Sequence, residues 1–258
     1  MKNSLLKNLT KIKARKIENS FLIEGFSLIE TALKSKRLLL NHLIVTNRIF
    51  SKYQGFINGI GNEKIFFVTE ENIKKLSFTK TPQGIIASVT YNSSTLDSID
   101  FKTIPLLLII DGISDPGNLG SLIRTAEVFG VDALIILPDS CDVFSDKVIR
   151  ASAGSLFHLP IIFCGYDEII KYLNTKGFYN IITVPSDGCE IWRFNFNSPL
   201  AITLGNESRG ISKPMMNSSV YRLTIPIKGN ADSLNVAVAG SIILYEIAKQ
   251  RNLLKCGK

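Results

Sequence analysis

Histidine and cysteine are scarce in this chain. The two histidines, His42 and His158, lie far apart, and the four cysteines, Cys141, Cys164, Cys189 and Cys256, form no CxxC pair. A zinc site needs clustered thiolates or imidazoles, so no metal is expected. A disulfide framework is equally unexpected in a long chain this poor in cysteine. No unbroken apolar run exceeds five residues, Leu106–Ile110 being one of them. A membrane helix needs about 20, so no membrane span is expected. No secretory signal is expected either, because Leu5 and Leu6 sit between lysines with no apolar core behind them. The first acid is Glu18, which leaves a basic presequence open, and the cytoplasm is the expected location. Compositional bias is absent too: 45% hydrophobic, 20% charged, 18 Gly and 9 Pro describe an ordinary globular protein. Its 258 residues make one large domain or two small ones.

The charge, +8 overall, is unevenly placed. Residues 1–95 hold 15 Lys/Arg against 6 Glu, a balance of +9, whereas residues 96–258 hold 15 basic and 16 acidic residues. Lys2, Lys7, Lys11, Lys13, Arg15 and Lys16 crowd the start. A basic field concentrated on one domain attracts polyanions and favours phosphate contacts. Lys11, Lys13, Arg15 and Lys16 are therefore candidate nucleic-acid contacts.

The apolar spacing at 21, 22, 26, 29 and 33 predicts a helix over Phe21–Leu33. His42–Val45, Ile65–Val68 and Gly84–Val89 read as strands, with a short helix at Glu70–Leu76. The polar stretch from Tyr91 to Ile104 has the composition of a linker, which sets domains at 1–95 and 105–258. A second α/β series follows. Strands are expected at Leu106–Ile110, Ala133–Leu137, Pro160–Phe163, Asn180–Val184, Leu200–Leu204 and Tyr221–Ile225. Helices are expected at Leu119–Phe129, Asp146–Gly154, Asp167–Leu173 and Leu234–Gln250. Short apolar strands joined by helices imply a parallel sheet covered on both faces.

Three segments resist a packing explanation. The first, Asp111-Gly-Ile-Ser-Asp-Pro-Gly-Asn118-Leu-Gly120, joins a strand to a helix carrying Arg124 and lacks the GxGxxG of a dinucleotide turn. The second, Leu204-Gly205-Asn206-Glu207-Ser-Arg-Gly210, has P-loop glycine spacing, but Ile211 stands where Lys is required. The third, from Ile225-Pro226 to Ser233-Leu234-Asn235-Val236, opens the last helix. Asp232 or Ser233 suits its N-cap, whereas Asn235 in a first apolar turn has no such explanation.

Together these segments resemble the three motifs of the SpoU-type (TrmH-like) RNA ribose 2′-O-methyltransferases of the SPOUT superfamily. Arg150-Ala-Ser-Ala-Gly154 also matches. So do Glu24-Gly25 and Thr81-Pro-Gln83-Gly84, in a first third similar to the family's L30e-like substrate-binding domain. The resemblance implies an α/β protein: an L30e-like N-terminal domain and a SPOUT domain with a parallel sheet and a deep trefoil knot. It implies S-adenosylmethionine as cofactor, held by loops around Leu204, Gly205, Ile225, Ile227 and Leu234. It implies Arg124, Asn118, Glu207, Ser233 and Asn235 as catalytic residues, with Asn118 and Glu207 holding Arg124 and the ribose. It also implies a homodimer formed through the C-terminal domain. The expected substrate is ribosomal RNA, by analogy of the first domain with ribosomal proteins. A transfer-RNA substrate, and a non-catalytic RNA-binding protein of the same fold, are the alternatives.

Overall fold

The computed structural model describes residues 2–14, 17, 19–57, 59–101 and 103–254, without the side chains of Lys2 and Asn3. The chain divides into two units. One holds residues 1–92 together with 144–158, and the other holds 93–143 and 159–258. The segment 144–158, expected within the second α/β series, thus packs with the first unit.

The first unit contains a four-stranded sheet in the order β1-β4-β2-β3. Its strands are β1 (Ser20–Glu24), β2 (Leu38–Val45), β3 (Ile65–Phe67) and β4 (Ile85–Tyr91). The helix expected over Phe21–Leu33 is instead β1 followed by a helix at Phe26–Lys34, broken at Gly25 with φ 99°. Both faces of β1 are covered, so its apolar residues run on without alternating, and periodicity alone cannot separate such a strand from a helix. Leu22 meets Leu9, Ile12, Ile44 and Ile86 on one side. On the other, Phe21 stacks on Phe144 with ring centroids 4.9 Å apart. Glu24 accepts hydrogen bonds from Ser77 Oγ, Thr79 Oγ1 and Phe78 N, and Gln83 Oε1 accepts from Phe26 N. The matched Glu24-Gly25 and Gln83-Gly84 pairs therefore tie two loops of this unit together.

The second unit is built on seven strands, all parallel, in the order β7-β6-β5-β10-β8-β11-β9. These are β5 (Leu106–Asp111), β6 (Ala133–Ile136), β7 (Ile161–Phe163), β8 (Tyr179–Thr183), β9 (Cys189–Glu190), β10 (Leu200–Gly205) and β11 (Tyr221–Thr224). Every residue of β5 and β6 is buried, as a strand with helices on both faces must be. The chain runs outward from β5 to β7, then crosses to β8 on the far side of β10. The order therefore reverses between β5 and β10, where ligands of open α/β sheets bind beyond the carboxyl ends. This order is consistent with the SPOUT fold implied by the motifs.

Candidate active site

Asp111 ends β5, and the chain turns through Gly112–Asp115 into the helix Pro116–Val128. Asp115 caps that helix, its Oδ1 accepting from Asn118 N at 2.8 Å, and Pro116 occupies the first turn, where no N–H is needed. Leu119, Leu122, Ile123 and Ala126 face the core, which leaves Arg124 on the solvent side.

The motif after β10 folds into a closed loop. Asn206 N donates to Gly210 O at 3.0 Å, and Gly210 N donates back to Asn206 O at 2.9 Å. A Cβ on Gly205 would lie 2.6 Å from the Gly210 carbonyl carbon, and Gly210 has φ +70°. Both glycines are thus required by backbone geometry. Asn206 Nδ2 donates to Gly112 O at 2.7 Å, while its Oδ1 accepts from Ser208 N and Arg209 N at 2.9 Å. This turn aims Glu207 at the preceding motif. Its Oε2 accepts from Ser114 N and Oγ at 3.3 and 3.2 Å, and its Oε1 accepts from Asn118 Nδ2 at 2.9 Å and Asp115 N at 3.4 Å. Partial burial pushes the Glu207 pKa up. The hydrogen bonds from Asn118 and from the backbone of Glu207, Ser114 and Asp115 outweigh that effect and hold it below the ordinary 4.5.

The last helix spans Val236–Gln250, starting two residues later than the sequence suggests, and its N-cap is Asn235 rather than Asp232 or Ser233. Asn235 Oδ1 accepts from Ala237 N and Val238 N at 2.9 and 3.3 Å, and its Nδ2 donates to Asn118 Oδ1 at 2.9 Å. Helix cap, Asn118 and Glu207 therefore form one chain of hydrogen bonds linking all three motifs. The chain also fixes both amide orientations, since Glu207 only accepts and the helix N–H groups only donate.

A cavity of about 410 Å³ lies at the carboxyl ends of β8, β10 and β11. All five residues expected to hold a cofactor line it: Leu204, Gly205, Ile225, Ile227 and Leu234. So do Glu207, Ser233 and Asn235. Sequence reasoning missed Thr183, Val184, Pro185 and Leu223. The carboxyl-edge rule applied to β8 as well as β10 would have found the first three. The lining mixes aliphatic side chains with Thr183, Asn206, Glu207, Ser208, Ser233 and Asn235, which suits a flat heterocycle with a charged, hydrogen-bonding tail. Asn118 reaches the cavity through its bonds to Glu207 and Asn235. Arg124 does not line it, and Arg124 is exposed with no hydrogen bond or ion pair among the described residues. The expectation that Asn118 and Glu207 hold Arg124 is corrected: they hold each other, and the guanidinium is free.

In the first unit, Lys11 is exposed. Lys13 donates to Lys75 O and Ser77 O at 2.8 and 2.7 Å and lies over the Phe78 ring. It thereby caps the C-terminal end of the helix Glu70–Leu76, which corrects the expectation of a side chain free for RNA. Arg15 and Lys16 lie outside the described residues. Among the described residues, no group of three or more His, Cys, Asp or Glu could hold a metal ion, and no helix is long and apolar enough to cross a membrane.

A small-molecule cavity at the carboxyl edge of a parallel sheet, in a chain that also carries a basic α/β unit, fits a cofactor-binding α/β enzyme. The SpoU rRNA Methylase family fits residues 105–245, and the MRM3-like substrate binding domain fits residues 4–87. The chain belongs to the SpoU rRNA methylase family. It is 32% identical over 250 residues to the 23S rRNA (guanosine(2553)-2′-O)-methyltransferase of Bacillus subtilis, covering 95% of this chain and 96% of that one. It is 29% identical over 238 residues to the 23S rRNA (uridine(2479)-2′-O)-methyltransferase of Streptomyces viridochromogenes, covering 90% and 83%. Among solved structures, the SpoU methyltransferase AviRb of S. viridochromogenes with its cofactor AdoMet superposes with a TM-score of 0.87. That pair shares 26% identity over 95% of this chain and 98% of that one. An AdoMet-bound rRNA methyltransferase from Sinorhizobium meliloti gives 0.86 at 26% identity, covering 99% and 97%.

Proposed function

We propose that this chain methylates a ribose 2′-hydroxyl of ribosomal RNA in the cytoplasm, with S-adenosylmethionine as donor. The observation that carries the reading is the Asn235–Asn118–Glu207 hydrogen-bond chain at the rim of an aliphatic cavity of cofactor size. When bound, S-adenosylmethionine supplies an activated sulfonium methyl. The thioether S-adenosylhomocysteine is the leaving group, the hydroxyl proton goes to solvent, and the protein has to orient the hydroxyl. Leu204, Ile225, Ile227 and Leu234 line the cavity and would hold the donor, with Gly205 allowing the closed loop. Glu207 has both oxygens engaged by donors from the first motif, so its role is to position that motif rather than to accept the hydroxyl proton. Ser233 and Asn235, just before the last helix, contact the acceptor nucleotide, Ser233 through its hydroxyl and Asn235 through the amide N–H that Asn118 does not take, because the Ala237 and Val238 N–H groups are already capped. Arginine keeps its proton, so Arg124 clamps a substrate phosphate and aligns the hydroxyl through it.

The active form is a homodimer. Gly240 lets the last helix lie close on Leu122, and Ile243, Leu244 and Ile247 fill the core. The opposite face exposes Val238, Ile242 and Tyr245, at 48, 36 and 48%, and the Tyr245 ring meets that of Phe129 edge-on at 6.0 Å. A contiguous apolar face of this kind marks an interface, and a second copy covers it. Mapping of ribose methylation in ribosomal and transfer RNA, from cells with and without the protein, tests the substrate. One ribosomal site should be lost, and loss confined to transfer RNA would overturn the choice.

A further inference from the structure

We propose that Asp111 is a positioning residue that sets the Gly205–Ser212 loop for the cofactor, an inference that rests on the function proposed above. Asp111 is only 2% exposed, and no cation pairs with it among the described residues. A buried carboxylate without a cation is uncommon and needs hydrogen-bond donors to offset its lost hydration. Two neutral donors supply them. Ser212 N donates to Oδ2 at 2.7 Å, and Tyr166 OH donates to Oδ1 at 3.1 Å. Asp111 also pairs in register with Gly205, and Asn206 Nδ2 reaches the carbonyl of the adjacent Gly112. The loop is therefore fastened at entry and exit to one dipeptide, Asp111-Gly112. Between the fastenings, Gly205, Glu207 and Ile211 line the cavity, while Asp111 does not. Its influence on the cofactor runs through the loop. Tyr166 opens the helix Tyr166–Lys176, so the same carboxylate ties a third element to the loop's end.

The residue type follows from this geometry. Two acceptor atoms are needed, one for a backbone N–H that can only donate and one for a phenol that can reverse its hydrogen bond. Asparagine satisfies both by accepting from Ser212 N and donating to Tyr166. Alanine satisfies neither. The test is calorimetric binding of S-adenosylmethionine to the full-length protein, with RNA affinity measured in parallel. Asp111→Ala should raise the dissociation constant about tenfold or more at unchanged stoichiometry, as expected for a loop no longer held in its binding conformation. Asp111→Asn should stay within about threefold, and RNA affinity should not move in either variant. Unchanged cofactor affinity in Asp111→Ala overturns the inference. So does a reduced binding-competent fraction with an unchanged dissociation constant, which is the signature of a purely structural role. If Asp111→Ala does not fold, Ser212→Pro removes the same donor at a residue whose φ of −64° already suits proline. Wild-type affinity in that variant overturns the inference as well. Failure of the wild-type protein to bind S-adenosylmethionine would instead contradict the proposed function.

Discussion

Asn235 donates from Nδ2 to Asn118 Oδ1 at 2.9 Å, across 117 residues of sequence, while its own Oδ1 caps the helix Val236–Gln250. One side chain thus has a structural half and a site half, and two substitutions separate them. Asn235→Ala loses both and should destabilise the protein by about 1 kcal/mol, the usual value of an N-cap. Asn235→Asp keeps an accepting oxygen for Ala237 N and Val238 N but loses the donor to Asn118. Its melting temperature should stay near wild type while methyl transfer falls as far as in Asn235→Ala. Thermal scans beside turnover assays check this.

Arg124 carries no partner among the described residues, so its removal should cost little stability, within about 0.5 kcal/mol for an exposed site. Arg124→Ala should retain cofactor affinity and lose methyl transfer by about a hundredfold or more, the range seen when a charged transition-state contact is removed. Calorimetry and single-turnover kinetics on the same preparation decide it. Near-normal turnover would remove Arg124 from the site.

Glu207 has a folded pKa below its unfolded one, so its hydrogen bonds stabilise the protein above the ordinary 4.5 and lose that effect as pH falls through the depressed value. The stability gap between wild type and Glu207→Gln should therefore be constant from neutral pH down to about 5 and shrink only in stronger acid. Denaturant titrations at stepped pH measure it. A gap that shrinks between pH 8 and 6 would contradict the assignment of the charged form to the native site.

Ile242 lies 36% exposed between Val238 and Tyr245 on the uncovered face of the last helix. Ile242→Asp should leave the monomer folded, since the side chain lies outside the core, and should shift sedimentation from dimer to monomer. A buried unpaired charge in an interface costs several kcal/mol, enough to dissociate a micromolar dimer. Full dimer content in Ile242→Asp would place the interface elsewhere.

Much of this architecture is legible in the sequence, because buried parallel strands such as Leu106–Ile110 and Ala133–Leu137 announce themselves as short apolar runs. The site is legible through residue types that packing does not require: Asn118, Glu207 and the loop glycines. Four features are not. β1 has the apolar density of a helix because both its faces are covered, and the break at Gly25 depends on a backbone φ that the sequence does not display. The segment 144–158 follows strands of the second unit, yet Phe144 and Phe157 stack on Phe21 of the first. Chain order carries no sign of that exchange. Asn235 looks like a first-turn residue until the helix start is known, and Lys13 looks free until the carbonyls of Lys75 and Ser77 are in place.

The central claim is the transfer of a methyl group from S-adenosylmethionine to a ribose hydroxyl. Purified full-length protein is incubated with protein-free ribosomal RNA and S-adenosylmethionine bearing a deuterated methyl, and the RNA is digested to nucleosides for mass spectrometry. A single labelled nucleoside is expected, its label staying with the sugar fragment, with about a hundredfold less label or lower for Arg124→Ala. Label on the base fragment, or equal labelling by the Arg124→Ala protein, would contradict it.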